Sequence, residues 1–289
     1  MANILVTGAN GQLGSEIHAL SGSYPQHQFL FNDRDEVDIT DAQQVEACFA
    51  EFQPDYCINC AAYTAVDKAE TDQEIAYQIN AVAVKNLATA CTKFGAKFVH
   101  VSTDYVFDGA GTEPYKEDHP TAPVSVYGKT KLQGEQEALA GNKDVIIIRT
   151  SWVYSEYGNN FVKTMLRLMQ SRPELGVVAD QYGSPTYAAD LAAAILQIVN
   201  AGNWQQGIFH FSNAGVITWH NFAQAIQELS GLNCTVKAIA TSDYPTPAKR
   251  PAYSVMSTQK IQQVYGITLK DWKESLRVCL DKLQALPHT

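Results

Sequence analysis

A glycine-rich turn near the start of the chain constrains the fold more than any other feature. Gly8, Gly11 and Gly14 follow directly after the apolar segment at residues 3–7, and an amphipathic helical pattern begins within the same turn. Glycine lets the backbone turn sharply and approach a ligand closely, and the free amides of a helix N-terminus attract anions. Strand, turn and helix in this order predict a site for the pyrophosphate of a dinucleotide cofactor. The predicted binding residues are Gly8, Gly11, Gln12, Leu13 and Gly14.

Short apolar segments alternate with amphipathic segments through the first half of the chain. We predict strands at residues 3–7, 28–32, 56–59, 97–102 and 144–149. We predict helices at residues 12–20, 42–52, 72–94 and 127–140. Several strands are apolar almost throughout, which is typical of a parallel sheet with helices on both faces. The pattern therefore predicts an α/β fold with a doubly wound, Rossmann-type parallel sheet.

The pattern changes after residue 149. The second half contains predicted helices and short strands, separated by Pro and Gly breaks, and a loop at residues 243–251 with three prolines. The predicted elements are helices at residues 160–170, 220–230 and 270–286 and strands near residues 177–178 and 208–211. We predict an NAD(P)-binding domain at residues 1–150. Residues 151–289 are expected to form mainly a smaller α/β substrate-binding lobe, with some segments returning to the first domain.

The charge and the hydropathy pattern exclude several classes of protein. The 289 residues carry a formal net charge of −9, whereas a groove for a nucleic acid needs an excess of Lys and Arg. No apolar run approaches the roughly 20 residues that span a bilayer. The chain starts with a strand pattern rather than with a basic leader. We therefore expect no nucleic acid partner, no membrane association and a cytoplasmic location.

The six cysteines and seven histidines show no spacing that is typical of a metal site. The closest pair, Cys57 and Cys60, belongs to a predicted buried strand, where residues three apart point to opposite faces. We interpret the cysteines as reduced structural thiols, which fits a reducing compartment. A set of oxygen ligands for a hard cation is not evident either, so we predict no bound metal.

Several acidic residues follow the second predicted strand, where a carboxylate is expected to bind the adenosine ribose. Asp33 fits this position, and Asp38 with Ile39 is a second candidate beside the adenine. Asp33 disfavours a 2′-phosphate, whereas the adjacent Arg34 is able to bind one. The sequence therefore leaves NADPH and NADH open as cofactors.

The segment from Tyr127 to Lys131 is the strongest indication of catalysis. Residues four apart lie on the same face of a helix, and an adjacent ammonium is expected to lower the pKa of the phenol. Such a tyrosine exchanges a proton with a carbonyl oxygen while hydride moves to or from a nicotinamide. Ser102 and Thr103 lie at the carboxyl end of the fourth predicted strand, where ligands bind in such sheets. We predict Ser102 beside the cofactor and Thr103 as a hydrogen-bond donor to the substrate oxygen.

Several longer motifs resemble those of a known family. They lie at residues 8–14, 59–67, 102–109, 127–131 and 149–154. Together they resemble the extended short-chain dehydrogenase/reductases, and within them most closely the family of dTDP-4-dehydrorhamnose reductases. The resemblance continues through the Pro-rich segment at residues 245–251 into the last helices. The glycine turn and Tyr-x-x-x-Lys mark the superfamily, and the motifs at residues 102–109 and 149–154 are much more specific.

The resemblance implies a role for each residue that matches a family motif. Tyr127 would be the proton donor, Lys131 would bind the nicotinamide ribose, and Thr103 would be the third catalytic residue. The residues that would line the cofactor beside the third strand are Ala61, Ala62, Tyr63 and Thr64. The residues that would contact the sugar or its diphosphate are Thr103, Asp104, Trp152 and Arg250.

The resemblance also implies the reaction, the NAD(P)H-dependent reduction of the 4-keto group of dTDP-4-dehydro-L-rhamnose to dTDP-L-rhamnose. Related dehydratases carry Asp-Glu after the catalytic Thr, whereas this chain has Asp104 and Tyr105, which argues against dehydration. A nucleotide-sugar epimerase and a non-catalytic NADP-binding regulatory subunit remain open as alternatives. The chain is expected to be a monomer or a homodimer that binds a nucleotide sugar.

Overall fold

The computed structural model describes residues 1–285. Residues 286–289, which end the predicted second lobe and include the last residue of the helix predicted at 270–286, lie outside the described part. Six parallel strands form the central sheet. They are β1 (Asn3–Thr7), β2 (Gln28–Asn32), β3 (Tyr56–Asn59), β4 (Lys97–Thr103), β5 (Val145–Thr150) and β10 (Gly207–His210).

The order of the strands across the sheet is β10-β5-β4-β3-β1-β2. From β1 the chain first moves to β2 on one side and then returns to β3 on the other side. The carboxyl ends of β1 and β3 therefore flank a topological switch point, where α/β sheets bind their ligands. The predicted doubly wound α/β fold is confirmed.

Helices cover both faces of this sheet. The helices of the first half are α1 (Gln12–Ser21), α2 (Ala42–Phe52), α3 (Val66–Ala69), α4 (Gln73–Tyr77), α5 (Ala83–Phe94) and α6 (Val126–Gly141). Successive residues of β1 alternate between the two hydrophobic cores, since Ile4 packs with α1 and Leu5 packs with α2 and α5. Burial on both faces explains why these strands are apolar at almost every position.

The helix predicted at residues 72–94 is interrupted, and in this respect the prediction is wrong. A π-helical turn at Gln78–Val82 separates α4 from α5. The side chain of Asn80 in this turn accepts from Tyr63 N at 2.9 Å and donates to Tyr63 O at 3.2 Å. Gly134 of α6 lies so close that a Cβ there would be 2.0 Å from Asn80 O. The π-helical turn is therefore in contact with both the loop after β3 and α6.

A second lobe with its own core follows β5. Its elements are β6 (Val153–Tyr154), α7 (Phe161–Ser171), β7 (Glu174–Val178), β8 (Tyr182–Gly183), β9 (Thr186–Tyr187), β11 (Ile217–Thr218), α9 (Trp219–Ser230), β12 (Thr235–Ile239) and α11 (Trp272–Ala285). Phe222 and Leu276 are fully buried at its centre. None of the helices within residues 1–285 is long and apolar enough to cross a membrane.

Three elements of the second half belong to the central sheet or pack against it. They are α8 (Ala188–Asn200), β10 and α10 (Gln259–Tyr265). β10 pairs with β5, and α8 lies against α1. The sequence pattern did not predict α8, whose residues are apolar around most of the helix. Burial against α1 and in the core beneath the sheet accounts for that composition.

Candidate active site

A cleft of about 1440 Å³ opens at the carboxyl ends of the central strands and continues over the second lobe. Most of the residues that sequence analysis proposed for the site line this one cleft. They are Gly8, Gly11, Gln12, Leu13, Asp33, Asp38, Ile39, Ala61, Ala62, Thr64, Ser102, Thr103, Asp104, Tyr127, Lys131, Trp152 and Arg250. Gly14 and Tyr63 are not among the lining residues.

The glycine turn lies between β1 and the N-terminus of α1. Gly8 has a φ of +69°, and a Cβ at this position would be 2.6 Å from Ala61 N. At Gly14 a Cβ would lie 2.3 Å from Gly8 O, so this glycine allows α1 to pack against the turn from behind. At its glycines the turn presents backbone amides that no side chain covers, and such amides are suited to bind a pyrophosphate.

Tyr63 supports the cofactor loop rather than lining the cleft. Its hydroxyl donates to Asp72 Oδ2 at 2.8 Å, and its backbone is bound by Asn80. The side chain is thereby directed toward the start of α4. The predicted contact between Tyr63 and a cofactor stays a prediction.

The end of β2 brings an acid and a base to the far end of the cleft. Asp33 Oδ2 accepts from Asn10 N at 2.8 Å, which places the carboxylate beside the glycine turn. The side chain of Arg34 lines the cleft next to it. Asp38 accepts from Thr40 N and Oγ1 at 3.0 and 2.7 Å, and these bonds lower the pKa of its carboxyl. Both predicted acids therefore line the end of the cleft where the sequence predicts an adenosine.

Tyr127 and Lys131 lie one turn apart at the start of α6. Ser125 caps this helix by accepting from Gly128 N at 3.1 Å. Lys131 is almost fully buried, and its Nζ donates to Val101 O at 2.7 Å. Burial lowers the pKa of Lys131 to about 8, although Glu135 acts in the opposite direction.

The phenol of Tyr127 is protonated at neutral pH. Burial is the main cause that raises its pKa to about 12; Thr103 acts in the opposite direction, and the carboxylate of Asp104 acts in the same direction as burial. The prediction that the ammonium of Lys131 lowers this pKa is wrong, because burial dominates and that ammonium is bound to a backbone carbonyl. A protonated phenol in this position is suited to donate a proton.

Thr103 and Asp104 form a hydrogen-bonded pair at the end of β4. Thr103 Oγ1 donates to Asp104 Oδ1 at 2.9 Å and accepts from Tyr105 N at 3.2 Å. Asp104 is only 3% exposed, and burial raises the pKa of its carboxyl to about 6. Tyr127, Thr103 and Asp104 are therefore neighbours in the cleft, and Thr103 lowers the pKa of the other two.

An aromatic wall closes the side of the cleft that belongs to the second lobe. Trp152 and Trp219 stack with 3.6 Å between their ring centroids and 12° between their planes. Trp152 has a φ of +49°, which is unusual for an aromatic residue. A Cβ on Gly183 would lie 2.5 Å from the indole of Trp152. Sequence analysis proposed Trp152 but missed both neighbours, since neither lies in a motif.

Arg250 links the Pro-rich loop to the first half of the chain. Its guanidinium donates to both carboxylate oxygens of Asp67, each at 2.8 Å. Ala248 N also donates to Asp67 at 3.2 Å. Sequence analysis proposed Arg250 for the substrate diphosphate and did not identify Asp67. The structure shows a half-buried ion pair at the border of the cleft.

Three buried polar side chains lie behind the catalytic residues. Arg149 donates to both oxygens of Glu135, at 2.9 and 2.7 Å, and Ser102 donates to Glu135 at 2.5 Å. Ser102 lines the cleft, but its hydroxyl is directed away from it into this network. The network fixes α6 against β4 and β5, and it holds the helix that carries Tyr127.

Comparisons with known proteins agree with this geometry. A family model described as the RmlD substrate binding domain matches residues 1–285. A dTDP-4-dehydrorhamnose reductase of Aggregatibacter actinomycetemcomitans is 44% identical over 287 residues, which cover 96% of this chain and 98% of the relative. This chain belongs to the dTDP-4-dehydrorhamnose reductase family. The resemblance stated from the motifs is confirmed.

Solved structures of reductases in this family share the whole fold. The dTDP-4-dehydrorhamnose reductase of Clostridium acetobutylicum superimposes with a TM-score of 0.94 at 45% identity, covering 98% of this chain and 99% of the other. The reductase of Bacillus anthracis, solved in complex with NADP, gives a TM-score of 0.93 at 39% identity and covers 97% and 99%. Both reductases are therefore similar to this family member in both halves of the chain.

Residues 1–285 of this family member hold no group of three or more His, Cys, Asp or Glu side chains arranged to bind a metal ion. All six cysteines are free, and four of them are buried.

Proposed function

We propose that this protein reduces the 4-keto group of dTDP-4-dehydro-L-rhamnose to give dTDP-L-rhamnose, with NADPH or NADH as the reductant. The observation that carries the proposal is the position of Tyr127, Lys131 and Thr103 in one cleft with the glycine turn. The family relationship supports the substrate class. The six free cysteines fit a reducing compartment, and we propose the cytoplasm as the place of the reaction.

The two halves of the cleft serve different ligands in this proposal. Residues 1–150 would bind the dinucleotide, with the pyrophosphate at Gly8 and Gly11 and the adenosine beside Asp33. Arg34 and the NADP complex of the Bacillus anthracis reductase favour NADPH. Residues 151–289 would mainly bind the sugar nucleotide, with Trp152 as an apolar wall for the sugar ring. The diphosphate would lie near Arg250.

The catalytic groups supply the proton that the keto oxygen needs. A bound nicotinamide dinucleotide supplies a hydride to the keto carbon. Tyr127 donates its phenolic proton to the keto oxygen, because burial keeps the phenol protonated at neutral pH. The buried ammonium of Lys131 would bind the nicotinamide ribose, and Thr103 binds the keto oxygen.

A spectrophotometric assay at the absorbance of the reduced nicotinamide tests the proposed function. The purified protein is mixed with NADPH or NADH and with a panel of nucleotide 4-keto-6-deoxysugars that differ in base and sugar. We expect NADPH or NADH to be oxidised in the presence of the dTDP sugar, and to be oxidised little or not at all with the UDP and GDP sugars. Exchange of sugar stereochemistry without net NADPH consumption would instead indicate an epimerase. Tight coenzyme binding with no turnover of any sugar would indicate a regulatory subunit.

A further inference from the structure

The hydroxyl of Thr103 has one proton, and that proton is already used. Thr103 Oγ1 donates to Asp104 Oδ1 at 2.9 Å, and the same oxygen accepts from Tyr105 N at 3.2 Å. A hydroxyl donates a single hydrogen bond. In this arrangement Thr103 therefore has no proton left for a carbonyl oxygen in the cleft. The proposed role of Thr103 as a donor requires another orientation of the hydroxyl.

We propose that Asp104 is a positioning residue that sets the direction of the Thr103 hydroxyl. The ionised carboxylate accepts the hydroxyl proton, whereas the protonated carboxyl donates to Thr103 Oγ1 and leaves the hydroxyl proton free for the keto oxygen. The amide of Tyr105 remains a donor to the same oxygen in both arrangements, so the two lone pairs of Thr103 are satisfied in the second one. This inference rests on the proposed reductase function.

The surroundings of Asp104 allow both protonation states near neutral pH. The carboxyl is 3% exposed, and its Oδ2 has no hydrogen-bond partner within the described residues. Burial raises its pKa to about 6. An unpartnered buried carboxylate oxygen is costly, and protonation relieves that cost. The geometry therefore favours a change of state rather than a permanently ionised acid.

The groups that face Asp104 come from four parts of the fold. Thr103 lies beside it on β4, Tyr105 follows it, and the phenol of Tyr127 faces it from α6. Ser254 approaches from the segment after the Pro-rich loop and favours the ionised form, although its hydroxyl is directed at Tyr182 O at 3.4 Å.

The charged groups around Asp104 are paired elsewhere. Within residues 1–285 no Lys or Arg forms an ion pair with this carboxyl. Arg250 and Asp67, which bind each other, face Tyr105. Lys131 donates to a backbone carbonyl. Within the described residues, none of these cations therefore lies at ion-pair distance from the Asp104 carboxyl.

The test compares Asp104→Asn with wild type across pH 5 to 8. An amide is the neutral counterpart of the protonated carboxyl, and it donates to Thr103 at every pH. For wild type we expect kcat/KM for the dTDP 4-keto sugar to fall about tenfold as Asp104 ionises, the loss of one hydrogen bond to the keto oxygen. In Asp104→Asn this pH-dependent fall in kcat/KM should be absent. The matched control, Asp118→Asn at an exposed position, keeps the wild-type profile.

Thr103→Val shows whether Asp104 acts through the hydroxyl. We expect this variant to have a lower kcat/KM at all pH values, without the fall in kcat/KM that wild type shows as Asp104 ionises. Adding Asp104→Asn to Thr103→Val should leave this dependence of kcat/KM on pH unchanged. A second readout needs no turnover. In ¹³C NMR of carboxyl-labelled protein, the Asp104 signal, assigned with Asp104→Asn, titrates at higher pH in Thr103→Val, because the carboxylate has lost a donor.

The outcomes separate this inference from the proposed function. A pH-dependent fall in kcat/KM that persists in Asp104→Asn, or one that persists in Thr103→Val, overturns the role of Asp104 while the reductase function stands. An unshifted NMR titration in Thr103→Val overturns it as well. Absence of turnover by wild type with every sugar overturns the proposed function, and the inference about Asp104 with it. Circular dichroism melting curves check that each variant is folded.

Discussion

At the scale of single residues, Trp152 shows how the second lobe shapes the cleft. Its backbone lies in the left-handed region at a φ of +49°. This conformation costs an L-residue roughly 1–2 kcal/mol. Trp219 stacks on its indole, and Gly183, which has no Cβ, leaves room for that indole. The packing therefore holds Trp152 in a strained conformation that presents its ring to the cleft.

Gly183→Ala is expected to displace this ring. The new Cβ would lie 2.5 Å from the indole of Trp152, so the ring has to shift. We expect the KM for the sugar substrate to rise about tenfold, the usual effect of misplacing one apolar wall. The Kd for NADPH should not change, because the glycine turn is untouched. Steady-state kinetics and coenzyme titration by fluorescence provide the two values.

Gly22→Ala is the matched control for this variant. Gly22 follows α1 with a φ of −60°, and a Cβ there meets nothing within 4 Å. Its KM should equal that of wild type. An unchanged KM in Gly183→Ala as well would show that the position of Trp152 does not govern sugar binding.

The residues of the site differ in how far the sequence predicts them. Tyr127 and Lys131 are one helical turn apart, and Thr103 ends a strand, so local periodicity places all three. Trp219 and Gly183 meet Trp152 only through the packing of the second lobe, which no local pattern encodes. The pKa of Tyr127 was mispredicted for the same reason, since burial is a property of the folded chain.

At the scale of elements, a buried carboxyl joins α1 to the second lobe. Glu16 of α1 is 1% exposed, and its Oε1 accepts from Ser155 Oγ at 2.7 Å. The neighbouring Glu156 accepts from Tyr187 and from Lys282 of α11, at 2.9 and 2.7 Å. Burial and the proximity of Glu156 raise the pKa of Glu16 to about 7. Protonation of Glu16 therefore stabilises this junction.

Glu16→Gln should remove a pH dependence of stability. The pKa of Glu16 in the folded protein lies above its ordinary value of 4.5. The corresponding stability is complete below about pH 4.5 and is lost as the pH rises through 7. At pH 8 we expect Glu16→Gln to exceed wild type by about 1–3 kcal/mol in the free energy of unfolding, and at pH 5 the two should be similar.

Melting temperatures at pH 5 and pH 8 check this expectation. The difference at pH 8 corresponds to a shift in Tm of roughly 2–5 °C for a protein of this size. Glu51→Gln, an exposed position on α2, serves as the control and should show no such difference. A Glu16→Gln variant that is less stable than wild type at pH 8 would contradict the raised pKa of Glu16.

The elements of the first half follow closely from the sequence, because each βαβ unit has its own local periodicity. The bounds of β1, β2, β3 and α2 agree with the predictions. The π-helical turn at Gln78–Val82 and the apolar helix α8 were missed. Both depend on neighbours distant in sequence, the first on Gly134 of α6 and the second on α1.

At the scale of the whole molecule, one cleft is lined by residues of both halves of the chain, and we propose that it binds a dinucleotide on the first half and a sugar nucleotide on the second. The ion pair between Asp67 and Arg250 ties the Pro-rich loop to the segment after β3, across 183 positions of sequence. The sequence predicts a loop at residues 243–251 but not its partner, since ion pairing over this separation follows from the packing of the two lobes. Tyr127 lies where the two halves meet.

Tyr127→Phe tests most directly whether this meeting point is a reductase site. The variant keeps the buried ring and loses only the proton that the keto oxygen requires. We expect kcat to fall by about 100-fold or more, the contribution of a positioned general acid. The Kd values for NADPH and for dTDP should stay within about threefold of wild type, since neither the glycine turn nor the second lobe is altered. Turnover near the wild-type rate would contradict the assignment of Tyr127 as the proton donor, and with it the proposed mechanism.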